Sequence, residues 1–164
     1  MITAAAITVS DKGYAGLRVD RSGPLLQELL THMGFEVVFS TIVPDEREQI
    51  AALLADLADN RHVALVVTTG GTGAAPRDVT PEATKAVIER EMPGLAELIR
   101  LEGYKKAPFA VLSRGVAGIR KGTLILNLAG SPKAVEEGME ILAPVLPHAL
   151  QMLMGENLEH SHKP

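Results

Sequence analysis

The chain has 164 residues, and its 16 basic and 20 acidic side chains give a formal net charge of −4 at pH 7. That balance argues against non-specific binding to nucleic acid, which needs a basic face. The absence of cysteine excludes disulfides, thiolate nucleophiles and cysteine-ligated metals. No apolar run is long enough to span a membrane, and the first residues lack the pattern of a signal peptide. We therefore expect a cytoplasmic protein with one domain over residues 1–154 and a polar tail over residues 155–164.

The first half of the chain predicts alternating strands and helices. Strands are expected at residues 2–9, 35–43 and 63–68. The third strand is continuously apolar, which is typical of a parallel strand covered on both faces. A helix is expected to begin near Pro24, which suits a first turn, and to end at Gly34. A second helix is expected to begin at Asp45, because Asp45 and Glu48 match an acidic variant of the capping box.

The second half predicts three helical regions and further strands. Thr80 resembles an N-cap with Pro81 in the first turn of a helix that runs to about residue 91. Another helix is expected over residues 93–102, and two helical segments are expected between residue 132 and residue 154. Strands are expected at residues 109–112, 118–119 and 124–128. This order predicts an α/β fold, a three-layer α-β-α sandwich with a mostly parallel sheet.

Polar or glycine-rich segments follow five of these predicted strands. They lie at residues 10–11, 44–45, 69–73, 113–114 and 127–131. In open α/β sheets, ligands bind beyond the C-terminal ends of the strands. The sequence therefore predicts one ligand-binding rim to which all five segments contribute.

The most distinctive of these segments consists of Thr69, Gly70, Gly71, Thr72 and Gly73. Three glycines in four residues permit positive φ angles and let backbone N–H groups approach an anion closely. The segment is neither a Walker A loop nor a dinucleotide-binding fingerprint. By itself it fits either a turn that leaves a strand or a loop that holds phosphate.

Charged and polar residues near this loop each allow two interpretations. Asp78, next to Arg77, suits either a local turn or a Mg²⁺ ligand that faces phosphate oxygens. A helix cap is sufficient to explain Asp45. Lys133 lies in the first turn after a Ser-Pro helix start, and suits either a phosphate contact or a solvated surface. The remaining polar candidates, which suit either ligand contacts or loop backbone, are Ser10, Asp11, Ser113, Asn127 and Ser131.

Seven short motifs together resemble one known family. They are VSD at 9–11, SGP at 22–24, PD at 44–45, TGGTG at 69–73, RDVTPEA at 77–83, LSR at 112–114 and NLAGSPKA at 127–134. These motifs resemble molybdenum-cofactor biosynthesis proteins of the MogA/MoaB type, and they are similar to the G domains of gephyrin and its plant counterpart. Ala129 departs from the pattern, since the family often has proline there. Nicotinamide-nucleotide (CinA-like) domains share the glycine loop, but Thr72 and the single acid Asp78 favour the molybdopterin branch.

The resemblance implies a molybdopterin adenylyltransferase with ATP and molybdopterin as substrates and Mg²⁺ as cofactor. It also implies a homotrimer and contact with a molybdenum-insertase protein. Asp45 and Asp78 match acidic positions that are catalytic and would hold the metal. The glycine loop with Arg77 would bind phosphate and nucleotide, and the implied pterin and substrate contacts are Ser10, Asp11, Ser113, Asn127, Gly130, Ser131 and Lys133. The alternative is a module of this fold that binds molybdopterin without adenylyl transfer.

Overall fold

A computed structural model describes residues 1–155 of the chain. The strands are β1 (Thr3–Val9), β2 (Glu36–Val43), β3 (Leu65–Thr69), β4 (Arg90–Glu91), β5 (Ala117–Arg120) and β6 (Thr123–Leu128). The helices are α1 (Asp11–Tyr14), α2 (Ser22–His32), α3 (Arg47–Asp59), α4 (Thr80–Val87), α5 (Pro93–Lys106), α6 (Pro132–Leu142) and α7 (Leu146–Leu153). A 3₁₀ helix, Pro108–Leu112, connects α5 to β5.

The six strands form one mixed sheet in the order β2-β1-β3-β6-β5-β4. The first four in this order are parallel, whereas β5 runs antiparallel to β6 and β4 runs antiparallel to β5. The carboxyl ends of four strands therefore lie at one edge of the sheet. Because β5 runs in the opposite direction, its first residues lie at that same edge.

Successive residues of the central strands enter two separate apolar layers. In β1, Ala4 and Ala6 pack with α2, α6 and α7, whereas Ala5 and Ile7 pack with α3 and α4. The strands are apolar throughout because helices cover both faces, as the run in β3 predicted. The predicted three-layer α/β fold is confirmed.

Two predictions about secondary-structure elements were wrong. Residues 109–112 form part of the 3₁₀ helix rather than a strand, and Phe109 is 81% exposed. A short apolar run has no decisive periodicity, so this ambiguity is expected. Helix α4 ends at Val87 rather than near residue 91, and the polar pair Arg90–Glu91 becomes an edge strand because it pairs with β5.

Two of the three predicted helix caps at the rim were also wrong. Helix α3 begins one residue later than expected, with Glu46 at the N-cap position and no side-chain cap bond. Helix α4 has Val79 at its N-cap position, and Thr80 lies inside the helix. Asp45 and Thr80 are therefore available for contacts outside their own helices. In contrast, Ser131 caps α6 as its sequence context suggests, since its Oγ accepts a hydrogen bond from Ala134 N at 3.1 Å.

Within residues 1–155, none of the helices combines the length and the apolar character that crossing a membrane would require. The remaining residues of the predicted tail, 156–164, lie outside the described part of the chain.

Candidate functional site

The five predicted segments meet at the carboxyl edge of the parallel strands. Four of them follow β1, β2, β3 and β6, as the sequence suggested. Ser113 and Arg114 instead precede β5, and they reach the rim because β5 is antiparallel to β6. Arg114 N donates to Thr72 O at 2.8 Å, which joins this segment to the glycine loop.

The glycine loop has a backbone conformation that side chains oppose. Gly70 has φ of +105° and Gly71 has φ of +70°. A Cβ at Gly70 would collide with the carbonyl oxygen of Val9, and a Cβ at Gly130 would lie 3.2 Å from Gly70 Cα. The backbones of three rim segments therefore pack directly against each other, and glycine is needed for that approach.

Threonine side chains fix the loop from both sides. Thr80 N donates to Gly71 O at 3.1 Å, and Thr80 Oγ1 donates to Gly70 O at 3.0 Å. Thr69 Oγ1 donates to Ala129 O at 2.8 Å. The bonds from Thr80 use two of the loop's carbonyl groups, and Gly70 N donates to Leu128 O at 3.0 Å. The N–H groups of Gly71, Thr72 and Gly73 donate to no group within residues 1–155, so they remain the part of the loop that a ligand can contact.

Asp11 and Asp45 are joined by two reciprocal hydrogen bonds, in which the backbone amide of each residue donates to the carboxylate of the other. We call this pair the Asp11–Asp45 clasp. Asp11 N donates to Asp45 Oδ2 at 2.8 Å, and Asp45 N donates to Asp11 Oδ1 at 2.9 Å. Burial raises the pKa of Asp45 above its ordinary value, and the nearby carboxylates of Asp11 and Asp78 raise the pKa further. The amide of Asp11 and the guanidinium of Arg77 lower it only in part. Asp45 is thus an acid in an environment that disfavours its charge.

Arg77 binds acids rather than facing open space. Its Nε and Nη2 each donate to Asp11 at 3.0 Å, and Nη2 also donates to Glu46 at 3.0 Å. These bonds hold the pKa of Asp11 below its usual range. We predicted phosphate as the partner of Arg77, but in this structure the guanidinium holds the Asp11–Asp45 clasp.

Arg114 makes the most extensive set of bonds at the rim. Its Nε donates to Gly73 O at 2.7 Å, its Nη2 donates to Asp78 O at 2.8 Å, and its Nη1 binds Glu82 at 2.8 Å. One guanidinium therefore joins the glycine loop, the backbone of Asp78 and the first turn of α4. The sequence pointed to this residue only as one of several possible contacts.

Two cavities meet at the glycine loop. The first, which we call the polar cavity, has a volume of about 750 Å³ and is lined mainly by Ser10, Arg18, Asp20, Arg21, Ser22, Asp45 and Ser131. The second, the apolar cavity, has a volume of about 490 Å³ and is lined mainly by Ile99, Phe109, Leu112, Leu128, Glu137 and Ile141. Gly71, Asp78 and Gly130 line both. Each volume is within the range of small-molecule sites.

The predicted substrate residues divide between these cavities or lie outside them. Ser113 lines the apolar cavity. Asn127 also lines it, but its side chain is buried and bonded to Thr68, Thr84 and Val116 N. Asp11, Arg77 and Lys133 line neither cavity, and Lys133 Nζ lies 3.9 Å from Glu137.

Several rim residues were not predicted as site residues, although Ser22 and Glu82 belong to motifs that carry the resemblance. They are Arg18, Asp20, Arg21, Ser22, Glu46, Glu82 and Glu137. Arg18 and Arg21 bring positive charge to the polar cavity from the irregular stretch between α1 and α2. The signal for them was a pair of arginines soon after the end of a buried strand. Glu46 and Glu82 had no such signal, because acids at the N-terminus of a helix are common for capping alone. Glu137 lies in the second turn of α6, where nothing in the sequence distinguished it from a surface acid.

The two aspartates fit a divalent cation that is shared with a ligand. Among residues 1–155, no group of three or more His, Cys, Asp or Glu side chains forms a complete metal site. Asp45 and Asp78 line the same cavity, and each keeps its Oδ1 free of hydrogen bonds from this part of the chain. Mg²⁺ is commonly held by one or two carboxylates together with substrate phosphates and water. The donor set therefore suits Mg²⁺ bound with a phosphorylated ligand.

Comparisons with known proteins show which family the chain resembles. Residues 5–148 match the family described as "Probable molybdopterin binding domain". A Helicobacter pylori protein named molybdopterin adenylyltransferase is 40% identical over 159 residues, which cover 96% of this chain and 90% of the relative. The Drosophila melanogaster molybdenum cofactor synthesis protein cinnamon is 44% identical over 154 residues, but the chain spans only 26% of its length.

Solved structures show the same fold. The molybdopterin biosynthesis enzyme MoaB from Thermus thermophilus is 51% identical, with a TM-score of 0.90 over 95% of this chain and 98% of that one. A CinA protein from Thermoplasma acidophilum has a TM-score of 0.67 at 20% identity, which indicates a shared fold alone.

Proposed function

The chain belongs to the molybdopterin-binding domain family, and we propose that it is a molybdopterin adenylyltransferase of molybdenum cofactor biosynthesis. In this reaction an oxygen of the terminal phosphate of molybdopterin attacks the α-phosphorus of ATP. A phosphoanhydride bond forms, the bond from the α-phosphorus to the bridging oxygen breaks, and pyrophosphate leaves. The product is adenylylated molybdopterin.

The observation that carries the proposal is the meeting of two cavities at the glycine loop. A reaction between two large anions needs two binding spaces whose phosphate ends are adjacent. The two cavities share Gly71, Asp78 and Gly130, so ligands in both would meet beside the loop.

Groups at the rim can offset the repulsion between the two anionic substrates of this reaction. Backbone N–H groups of the loop and the N-terminus of α6, which lines the polar cavity, would face phosphate oxygens. Arg18 and Arg21 add positive charge there. The attacking phosphate is already ionised near neutral pH, so the chain needs no strong general base.

Asp45 and Asp78 would hold Mg²⁺, and the metal would supply charge neutralisation at the phosphates. The Asp11–Asp45 clasp keeps one carboxylate facing the polar cavity. The hydrogen bond from Arg114 Nη2 to Asp78 O keeps the backbone of Asp78 in place. Repulsion between the two acids contributes to the raised pKa of Asp45, and a cation between them would relieve it.

The direct test is an assay with molybdopterin, ATP and Mg²⁺ that measures both pyrophosphate and the adenylylated product. We expect turnover by the wild type and loss of turnover in Asp78→Ala. The matched control is Glu48→Ala, which removes an acid that is 85% exposed at the start of α3 and should leave turnover unchanged. If the wild type binds molybdopterin but releases no pyrophosphate, the alternative of a binding module without transfer is correct.

We also propose that the protein is a cytoplasmic homotrimer that contacts a molybdenum-insertase protein. An exposed apolar surface on α5 and the 3₁₀ helix favours association, and it includes Leu101, Tyr104, Phe109 and Leu112. Light scattering coupled to size exclusion would give the mass of the assembly, and a monomer at micromolar concentration would contradict the trimer.

A further inference from the structure

A short irregular segment carries positive charge to the polar cavity. Residues 15–21 connect α1 to α2, and we call this segment the strap. Arg18 and Arg21 belong to the strap, and both line the polar cavity. Within residues 1–155 neither guanidinium makes a hydrogen bond or an ion pair. Two unpaired cations are therefore available to an anion in this cavity.

One side chain holds the middle of the strap in place. Within residues 1–155 the backbone of residues 18–20 forms no hydrogen bond with other backbone groups. The carboxylate of Asp20 instead accepts from Thr8 Oγ1 at 2.8 Å and from Gly23 N at 2.9 Å. Thr8 lies on β1 and is only 6% exposed. Asp20 therefore fastens the strap to the sheet and to the first turn of α2.

These two bonds also keep the acid apart from the neighbouring cations. Each carboxylate oxygen of Asp20 is occupied by a neutral donor, and within residues 1–155 the acid forms no ion pair. A Cβ at Gly23 would collide with Asp20 Oδ2 and with Thr8 Oγ1, so this contact needs glycine. The arrangement thus uses an acid of the cavity wall to hold the strap while the strap's arginines stay unpaired.

We propose that Asp20 is a positioning residue, which fixes the strap so that Arg18 and Arg21 face an anionic group in the polar cavity. The inference rests on the proposed function in one respect, that the reaction brings phosphate groups to the rim. The competing explanation is a helix cap, because Asp20 precedes Gly23 by three residues and accepts from its amide. A cap would stabilise α2 without any effect on the binding of an anion.

The test compares two variants that remove the same charge. Asp20→Asn keeps an oxygen for Gly23 N and offers an amide to Thr8 Oγ1, which can also accept, so the strap should stay in place. Asp20→Ala removes both bonds and should release the strap. The probe is pyrophosphate, titrated by calorimetry with no other substrate present.

The two variants should change the affinity for pyrophosphate in opposite directions. We expect Asp20→Asn to bind it about threefold more tightly than the wild type, because a repelling charge is lost. We expect Asp20→Ala to bind it about tenfold more weakly, because the arginines are no longer held where they donate to phosphate oxygens. Trypsin should also cut after Arg18 faster in Asp20→Ala than in Asp20→Asn, since a released strap is easier to cleave.

Two further variants separate placement from charge. Thr8→Val removes the hydroxyl donor and keeps the acid, so Asp20 Oδ2 is free to pair with an arginine, and pyrophosphate binding should again weaken. Glu28→Ala is the charge-matched control. It removes an exposed acid on α2 and should bind pyrophosphate as the wild type does.

Two results would overturn the inference. One is a wild type that does not bind pyrophosphate, or that binds it no more tightly than a variant with both Arg18→Gln and Arg21→Gln. The other is a folded Asp20→Ala protein that binds pyrophosphate as tightly as Asp20→Asn, which is the result expected of a helix cap. A wild type and variants in the predicted order, without any adenylylated product, would support the inference and refute only the proposed activity.

Discussion

Arginine pairs with aspartate at both ends of the sheet, but only the rim also holds a second aspartate whose pKa is raised. At the end away from the rim, Arg120 binds both oxygens of Asp59 at 2.7 and 3.0 Å, and this pairing lowers the pKa of Asp59 to about 2. At the rim, burial raises the pKa of Asp45, and Arg77 directs its bonds to Asp11 and Glu46. The remote pair stabilises the fold. The rim keeps a carboxylate in a setting that disfavours its charge, as functional sites often do.

The largest effect that we expect at the rim is on Asp45. Asp45→Asn keeps an oxygen that can accept from Asp11 N but removes the charge that would bind Mg²⁺. Turnover should fall by about 100-fold or more, a loss of roughly 3 kcal/mol of transition-state stabilisation. The adenylyl-transfer assay at saturating Mg²⁺ measures this loss, and turnover within threefold of wild type would contradict the role of Asp45.

The same variant should not lose stability. The folded pKa of Asp45 is raised above 3.8, so its ionised form opposes folding once the pH rises through the folded pKa. Asp45→Asn should therefore match the wild type below pH 3.8 and equal or exceed its unfolding free energy at pH 7. Urea unfolding at both pH values tests this sign, and a less stable variant at pH 7 would show that Asp45 is structural.

A second large effect concerns the backbone of the rim. Gly70→Ala places a methyl group against the carbonyl of Val9 at a φ of +105°. We expect the unfolding free energy to fall by about 2–3 kcal/mol. Gly94→Ala is the control, since a Cβ there meets nothing within 4 Å and should leave stability equal or slightly higher. Equal stability of the two variants would mean that the loop can relax.

A smaller effect is expected at Arg114. Arg114→Lys keeps the charge but loses the geometry that reaches Gly73, Asp78 and Glu82 together. Turnover should fall by about tenfold with a higher Mg²⁺ requirement, because Asp78 is less well placed. Stability should change little, since the side chain is 41% exposed. A drop in stability with unchanged Mg²⁺ dependence would make Arg114 merely structural.

The smallest effect on activity is expected at the other end of the sheet. Asp59→Asn removes the pair with Arg120, so thermal stability should fall at pH 7 while turnover stays at the wild-type value. Because the folded pKa is lowered from 3.8 to about 2, this stabilisation is present above pH 3.8 and is lost as the pH falls through about 2. Thermal melts across that window measure it, with exposed Glu48→Gln as the control. Reduced turnover would show that the two ends are coupled.

Much of the fold followed from local pattern. The continuous apolar run in β3 indicated a strand covered on both faces, and Gly34 ended a helix with φ of +93°. Patterns failed where pairing decided the outcome. Arg90–Glu91 has no strand signal and becomes β4 only because β5 offers an open edge.

The sequence by itself determined the three-layer fold, the glycine loop and the meeting of four segments at one rim, because periodicity and glycine placement act over a few residues. The fifth segment, Ser113 and Arg114, reaches the rim only because β5 is antiparallel to β6. Only the tertiary structure decided what Asp45 and Arg77 contact. A capping pattern cannot show that Asp45 exchanges hydrogen bonds with Asp11, which lies 34 residues earlier. It also cannot show that Arg77 donates to Asp11. Packing between distant segments also places Glu137, which was not predicted as a site residue, in the wall of the apolar cavity. Local chemistry thus fixed which segments form the proposed binding rim, and packing between distant segments fixed which of their side chains face its cavities.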